Sequence, residues 1–295
     1  MKTAELNKMC REYTSELIEA IKNEKKDERL LEYFEFCSRF HNYSFQNRML
    51  IWISRPDATF VAGFKAWQKM GRSVKKGEKG IPIFAPMKTK VKRKEEWDQE
   101  LEEFGWESPK KRRDMQDEIL RFKVVYVWDR SQTEGDPLPE SPDITSVEGE
   151  LEGMLAALEA VVADQDINLE YVDALPIATA GGMSSGGTVK IVASMKDVEK
   201  FHVLAHELAH EMLHGPQERD SLSKKVKELE AEATAFVVSR HFGLDTKAPT
   251  YLALYRVEEV DIMASLNRIV STASKIIRGI VKQQIEESLN VEKAA

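Results

Sequence analysis

Residues 202–214, HVLAHELAHEMLH, set a histidine at every fourth position: His202, His206, His210 and His214, four of the six in the chain. On an α-helix, residues four apart share a face, with Cβ atoms about 5–6 Å apart. His206 and His210 with Glu207 form an H-E-x-x-H sequence. In that pattern two imidazoles share one divalent ion, and the glutamate beside the first reaches an ion-bound water as general base. Zn2+ is the ion such a set suits, with Mn2+ or Co2+ as substitutes. Zinc lowers the pKa of its water toward about 7, so hydroxide is available at neutral pH. His202 and His214 lie about 18 Å apart along such a helix, too far to share the same ion. They are expected to neighbour the site as orienting, structural or substrate-facing residues.

A catalytic ion needs a third protein ligand and an open position. The segment KELEAEATAFVVSRHFG, 227–243, offers three carboxylates. At about 100° per residue, Glu228 and Glu232 share a side with Ala235 and Ser239, while Glu230, Thr234 and His241 fall roughly opposite. The first face suits a metal cleft and the second suits water. Glu228 is therefore expected as third ligand, with Glu232 one turn on holding a ligating histidine. The reverse assignment of these two stays open. Tyr251, Tyr255, His202 and His214 are candidates for stabilising a transition state.

These residues need elements to position them. Asp197, three residues after Ser194, suggests a capping box opening the histidine helix, and Gly215-Pro216 closes it. The carboxylate helix should cover about 224–242 and end at Gly243. Between 150 and 195 the pattern reads as a helix (VEGELEGMLAALEAVVADQ), a strand (INLEYVD) and two strands around a glycine-rich turn (IATAGGMSSGGTVKIVAS). From about 258 one long helical pattern runs on. Upstream, apolar spacing predicts helices over Leu6–Ile21, 28–38 and from Ser44 to Arg55, where Pro56 stops the third. FKAWQKMG reads as a short helix, VKKGEKG as a basic glycine turn, and IPIFAPM and FKVVYVWD as strands. The charged stretch 88–121 reads as an exposed hairpin or helical insertion, and 131–145 as a linker. The expected class is α+β, divided at the linker into domains 1–140 and 141–295.

Charge separates the two parts. Residues 61–94 hold eleven Lys/Arg against one acid, whereas 141–295 carry fifteen Lys/Arg against twenty-five Asp/Glu. Such segregation speaks about partners rather than fold. Aromatics lie among the cations from 36 to 87, and single-stranded DNA asks for that mixture: cations follow phosphates while aromatic faces stack bases. The expected DNA-contacting residues are Arg48, Lys65, Trp67, Lys69, Arg72, Lys75, Lys76 and Lys79. The acidic part allows another partner, a restriction enzyme that mistakes it for DNA. Neither Cys10 nor Cys37 has metal-ligand spacing, and no run approaches about 18 apolar residues, so a cytoplasmic protein without a membrane partner is expected.

Two resemblances follow. The pair HELAHEMLH and ELEAEATAFVV, within about 150–245, resembles zincin peptidases of the glutamate-ligand (gluzincin) type, particularly the ImmA/IrrE-like group. This implies a helix–sheet–helix metallopeptidase domain and, in some members, cleavage of a repressor. The stretch SFQNRMLIWISRPDATFVAGFKAWQKMGRSVKKGEKGIPIFAPM with YVWDRSQTEGDPLP, within about 30–140, resembles the N-terminal domain of ArdC-type antirestriction proteins. That resemblance implies a mixed α/β single-stranded-DNA-binding domain ahead of a zincin-like domain, on a protein that protects mobile-element DNA from restriction. Together they leave two activities open: DNA-binding antirestriction, or a regulatory zinc peptidase acting on a DNA-associated protein.

Overall fold

The structure, a computed structural model, describes residues 3–22, 27–90, 118–138, 148–177, 180–215, 222–246 and 262–294. The first three helices are α1 (Thr3–Lys22), α2 (Asp27–Arg39) and α3 (Phe45–Ser54). Ser44 caps α3 by accepting from the Asn47 N–H at 3.3 Å, and the helix stops just before Arg55-Pro56, whose ring disfavours a helical residue ahead of it.

Strands β1 (Val61–Gly63), β3 (Ile81–Lys90) and β4 (Glu118–Asp129) form an antiparallel sheet in the order β1-β4-β3. The β3–β4 register runs from Ile81↔Val127 to Lys90↔Glu118. Residues 88–90 and 118–121 therefore continue the antiparallel ladder, in keeping with the hairpin alternative and not the helical one, and 91–117 lie outside the described residues. The short helix α4 (Phe64–Lys69) follows β1, and β2 (Arg72–Val74) pairs with β5 (Thr133–Gly135). That pairing corrects the linker expectation. Gln132 and Thr133 are buried, because the chain after β4 turns back onto β2 before it leaves; 139–147 lie outside the described residues.

The second part begins with α5 (Glu148–Asp164). Its sheet has the order β6-β8-β7, with β6 (Asn168–Val172) parallel and β7 (Gly182–Ser184) antiparallel to β8 (Thr188–Val192). Three helices follow: α6 (Asp197–Leu213), α7 (Lys224–His241) and α8 (Ile262–Ala294). Helix α6 begins later than its sequence suggested. Its N-cap is Lys196, whose backbone N–H donates to the Glu199 carboxylate at 3.3 Å, and Ser194 takes no part. The architecture is α+β, as expected, with mixed sheets and a long C-terminal helix. Among the described residues no helix is long and apolar enough to cross a membrane.

One apolar cluster runs without a break from Leu6 to Ile280, because α2 packs on α7 and α3 on α8. Arg48 fastens this seam, which overturns its expected DNA contact. It is 2% exposed, and its guanidinium donates to Phe40 O and His41 O at 2.8 Å, to Val270 O at 3.1 Å and to Ser274 Oγ. A charged group so placed is kept by hydrogen bonds at all three of its nitrogens. Arg48→Met removes four hydrogen bonds to α8 and the turn after α2, each worth about 1.5–3 kcal/mol when the donor is charged. A total loss of about 3 kcal/mol or more is expected, read in thermal unfolding as a Tm lower by roughly 6–12 °C.

Candidate metal centre and basic aromatic face

The apolar face of α6, Phe201, Leu204, Ala205 and Leu208, is buried in the core, and this turns the histidine row toward α7. His206 Nε2 and His210 Nε2 stand 3.1 Å apart. Glu228 Oε2 lies 3.5 Å from the first and 3.6 Å from the second. Among the described residues these three form a group able to hold a metal ion. The spacing fits one: donors at about 2.0–2.1 Å around a tetrahedral ion are roughly 3.3–3.4 Å from each other. Two imidazole nitrogens and a carboxylate oxygen converging this closely need a cation or a proton between them.

Glu232 faces the other nitrogen of the His206 ring. Its Oε2 is 3.1 Å from His206 Nδ1, which directs that ring's Nε2 at Glu228. His202 packs behind, with Nδ1 3.1 Å from Ser239 Oγ. Burial alone would lower the His206 pKa, but the hydrogen bonds to Glu228 and Glu232 outweigh it and raise the value to about 9. The hydrogen bond from His206 is the largest of the contributions that hold Glu228 far below the usual carboxylate range.

Glu207 is buried against the edge strand β7, where it accepts a backbone hydrogen bond from Ser184. Burial raises its pKa; the nearby histidines lower it in part, and the Glu228 charge raises it. A carboxylate so destabilised is a better proton acceptor than one in water. Gly182 makes the approach possible, since a Cβ there would sit 2.6 Å from Val203 Cγ1 and 2.8 Å from Glu207 Cγ. The resulting cleft, about 600 Å3, is lined by β7, His202, His206, Glu207, His210, Glu228 and Glu232.

The opposite face of α7 differs from expectation. Glu230 and Thr234 are completely buried instead of facing water, and His241 Nδ1 donates to Ser38 O at 2.7 Å. Glu230 bonds His214, the residue that caps the C-terminal end of α6, and Arg268 on α8, so α7 is enclosed on both sides. Tyr251 and Tyr255 lie outside the described residues.

In the N-terminal part, burial divides the expected DNA-contacting residues. Trp67 is 0% exposed, and its Nε1–H donates to Trp128 O at 2.9 Å, so it is a core residue and not a stacking platform. The Arg72 guanidinium is taken up by Thr133 Oγ1 at 2.9 Å, Thr133 O at 3.1 Å and Asp136 O, clamping β2 to β5. Lys65, Lys69, Lys75, Lys76 and Lys79 remain at the surface.

Sequence reasoning missed two aromatics. Phe60, Phe64, Phe122 and Tyr126 each stay 43–47% exposed. Phe122 and Tyr126 share one face of β4 with Trp128, as the period of two requires, and Phe64 meets Trp128 edge-on with centroids 6.1 Å apart. The basic turn passes beside them: a Cβ on Gly80 would fall 2.9 Å from both Tyr126 and Trp128 side chains. Gln132 anchors this turn, donating to Lys79 O at 2.9 Å and Glu78 Oε2 at 2.8 Å. The spacing of aromatics at 122, 126 and 128 was the available signal.

Residues 7–128 match the family model for the N-terminal domain of anti-restriction factor ArdC. An uncharacterized Bacillus anthracis protein is 26% identical over 326 aligned positions, covering 99% of this chain; the chain spans only 55% of that relative's length. The fold also resembles the Mn(II)-bound crystal structure of antirestriction protein ArdC from plasmid R388. The identity is 15%, the TM-score 0.50, and 93% of this chain and 97% of that one are covered. The metal-free structure of the same protein superposes with a TM-score of 0.47 over 83% of this chain and 86% of that one, again at 15% identity. The N-terminal part thus matches the ArdC N-terminal domain, and the fold as a whole resembles that of the R388 ArdC protein.

Proposed function

We propose that the chain binds single-stranded DNA through its N-terminal part, residues 1–140, and protects mobile-element DNA from restriction. Residues 141–295 carry a zincin-type metal centre. The observation behind the DNA reading is the row of exposed aromatics, Phe64, Phe122 and Tyr126, beside the turn bearing Lys75, Lys76 and Lys79. Exposed rings accept unpaired bases, whereas a duplex hides its base faces; lysines alongside follow the phosphates without reading sequence. Lys65 and Lys69 extend the cationic border. Trp67 and Arg72 support this surface from inside.

In the second part, His206, His210 and Glu228 would hold the ion. Zn2+ suits the ligands, and Mn2+ is the ion bound by the R388 protein of the same fold. Once bound, the ion supplies Lewis-acid polarisation and an acidified water. Glu232 fixes the His206 ring, and Glu207, destabilised by burial, takes up the proton at its carboxylate. This arrangement also favours a second reading, a regulatory metallopeptidase whose protein substrate sits on DNA, because Glu207 adjoins both the metal ligands and an edge strand.

A restriction-protection assay in cells that express variants separates the readings. Lys76→Glu/Lys79→Glu is expected to abolish protection, while Glu207→Gln retains it. Loss of protection in Glu207→Gln alone would favour the peptidase. Full protection in both would support neither surface and favour the acidic C-terminal part as the contact with a restriction enzyme.

A further inference from the structure

We infer that His214 and Glu230 form a buried relay, anchored by Arg268, that fixes His210 in the tautomer whose Nε2 is open to a cation. The inference rests on the metal-binding reading above and assigns the outermost histidine of the row to positioning a ligand.

The relay starts on α8. The Arg268 guanidinium donates to both oxygens of Glu230, from Nε to Oε2 at 3.3 Å and from Nη2 to Oε1. An arginine has only donors and stays charged, so the carboxylate under it acts as an acceptor. Glu230 is 0% and His214 2% exposed, so water does not complete their bonding. Glu230 Oε2 lies 3.1 Å from His214 Nε2, and that nitrogen must therefore carry the hydrogen. In a neutral imidazole the other nitrogen is then an acceptor. His214 Nδ1 faces His210 Nδ1 at 3.2 Å, and two lone pairs cannot bond, so the hydrogen sits on His210 Nδ1. His210 Nε2 is left with its lone pair, 3.1 Å from His206 Nε2 and 3.6 Å from Glu228 Oε2. Each bond dictates the next.

The two metal-facing histidines are thus held differently. His206 leans directly on Glu232, a carboxylate in the cleft wall with 22% of its side chain exposed. His210 is held through a second imidazole by a carboxylate that water does not reach, and its polarity is set by a helix 38 residues beyond Glu230. The position of α8 therefore bears on the readiness of the metal site. Partners of this kind hold a ring in one tautomer and orientation, and their loss typically costs 10–100-fold in metal affinity.

Two measurements on the full chain test the relay. Imidazole 15N NMR at neutral pH without added metal should find His210 protonated at Nδ1 and His214 at Nε2. A hydrogen on His210 Nε2, as a doubly protonated His214 would require, overturns it without recourse to any variant. Calorimetric titration with Mn2+ and Zn2+ should show His214→Leu weakened by about 10–100-fold. His214→Gln, which accepts through Oε1 and donates through Nε2, should recover most of that loss. Wild-type affinity in a folded His214→Leu, or equal loss in both variants, would contradict the relay. If the unaltered chain bound neither ion, the metal reading would fail, and the tautomers would still judge the relay.

Discussion

Glu228→Ala should weaken binding of Zn2+ or Mn2+ by more than about 100-fold, beyond what loss of an orienting partner costs. Among the described residues, Glu228 is the carboxylate that faces both His206 Nε2 and His210 Nε2, at 3.5 and 3.6 Å. It supplies the anionic donor of the set, and alanine leaves two neutral imidazoles that cannot offset an ion's desolvation. Glu232→Gln should cost less, about 10–100-fold, because the amide oxygen can still accept from His206 Nδ1. Competition against a chelating dye ranks the two, and a larger loss in Glu232→Gln would exchange their roles. The pH dependence has a definite sign. His206 holds a proton below its raised pKa of about 9, and an incoming cation must displace it. Apparent affinity should therefore fall as the pH drops through that value, with proton release measurable in weakly buffered solution.

The second large effect concerns DNA. Phe64→Ala and Tyr126→Ala should each weaken binding to a single-stranded oligonucleotide by roughly 5- to 150-fold, the equivalent of about 1–3 kcal/mol per stacked base. Both rings are nearly half exposed, so truncation removes little packing, and melting temperatures should stay close to that of the parent chain. Lys76→Glu should act on every sequence alike and reduce the salt dependence, because it removes a phosphate contact. Filter binding at two ionic strengths distinguishes these contributions. An unchanged affinity in Phe64→Ala/Tyr126→Ala would place the DNA elsewhere on the chain.

Much of the candidate metal centre could be read ahead of the structure because a single helix writes its faces at a fixed period. His206, His210 and Glu207 follow from spacing alone, and Glu228 and Glu232 from the angle between positions. What α7 packs against is written nowhere nearby. Glu230 looked like a water-facing acid because its partner, Arg268, lies on a helix 38 residues on. Arg48 was misread for the same reason: its acceptors include Val270 O, 222 residues away. Residue type signals that a cation or an indole is present, but burial depends on the tertiary neighbour. Trp67 sits in a helix of six residues, too short for an apolar stripe to declare itself. Phe122 and Tyr126 were hidden by the opposite problem. The run FKVVYVW is apolar almost throughout and reads as a buried strand, although one end of its face is open. The sheet orders and the close approach of α6 to β7 needed coordinates, while the strands themselves followed from composition and turn residues.

The claim that matters most is that the exposed aromatic face, with its lysine turn, is a single-stranded-DNA surface. Fluorescence anisotropy of labelled single- and double-stranded oligonucleotides, titrated with the full chain at low and moderate salt, tests it directly. The account predicts salt-sensitive binding that prefers the single strand, with the preference lost in Phe64→Ala/Tyr126→Ala. Absence of binding at low salt, or equal affinity for duplex in the parent and the variant, would contradict it.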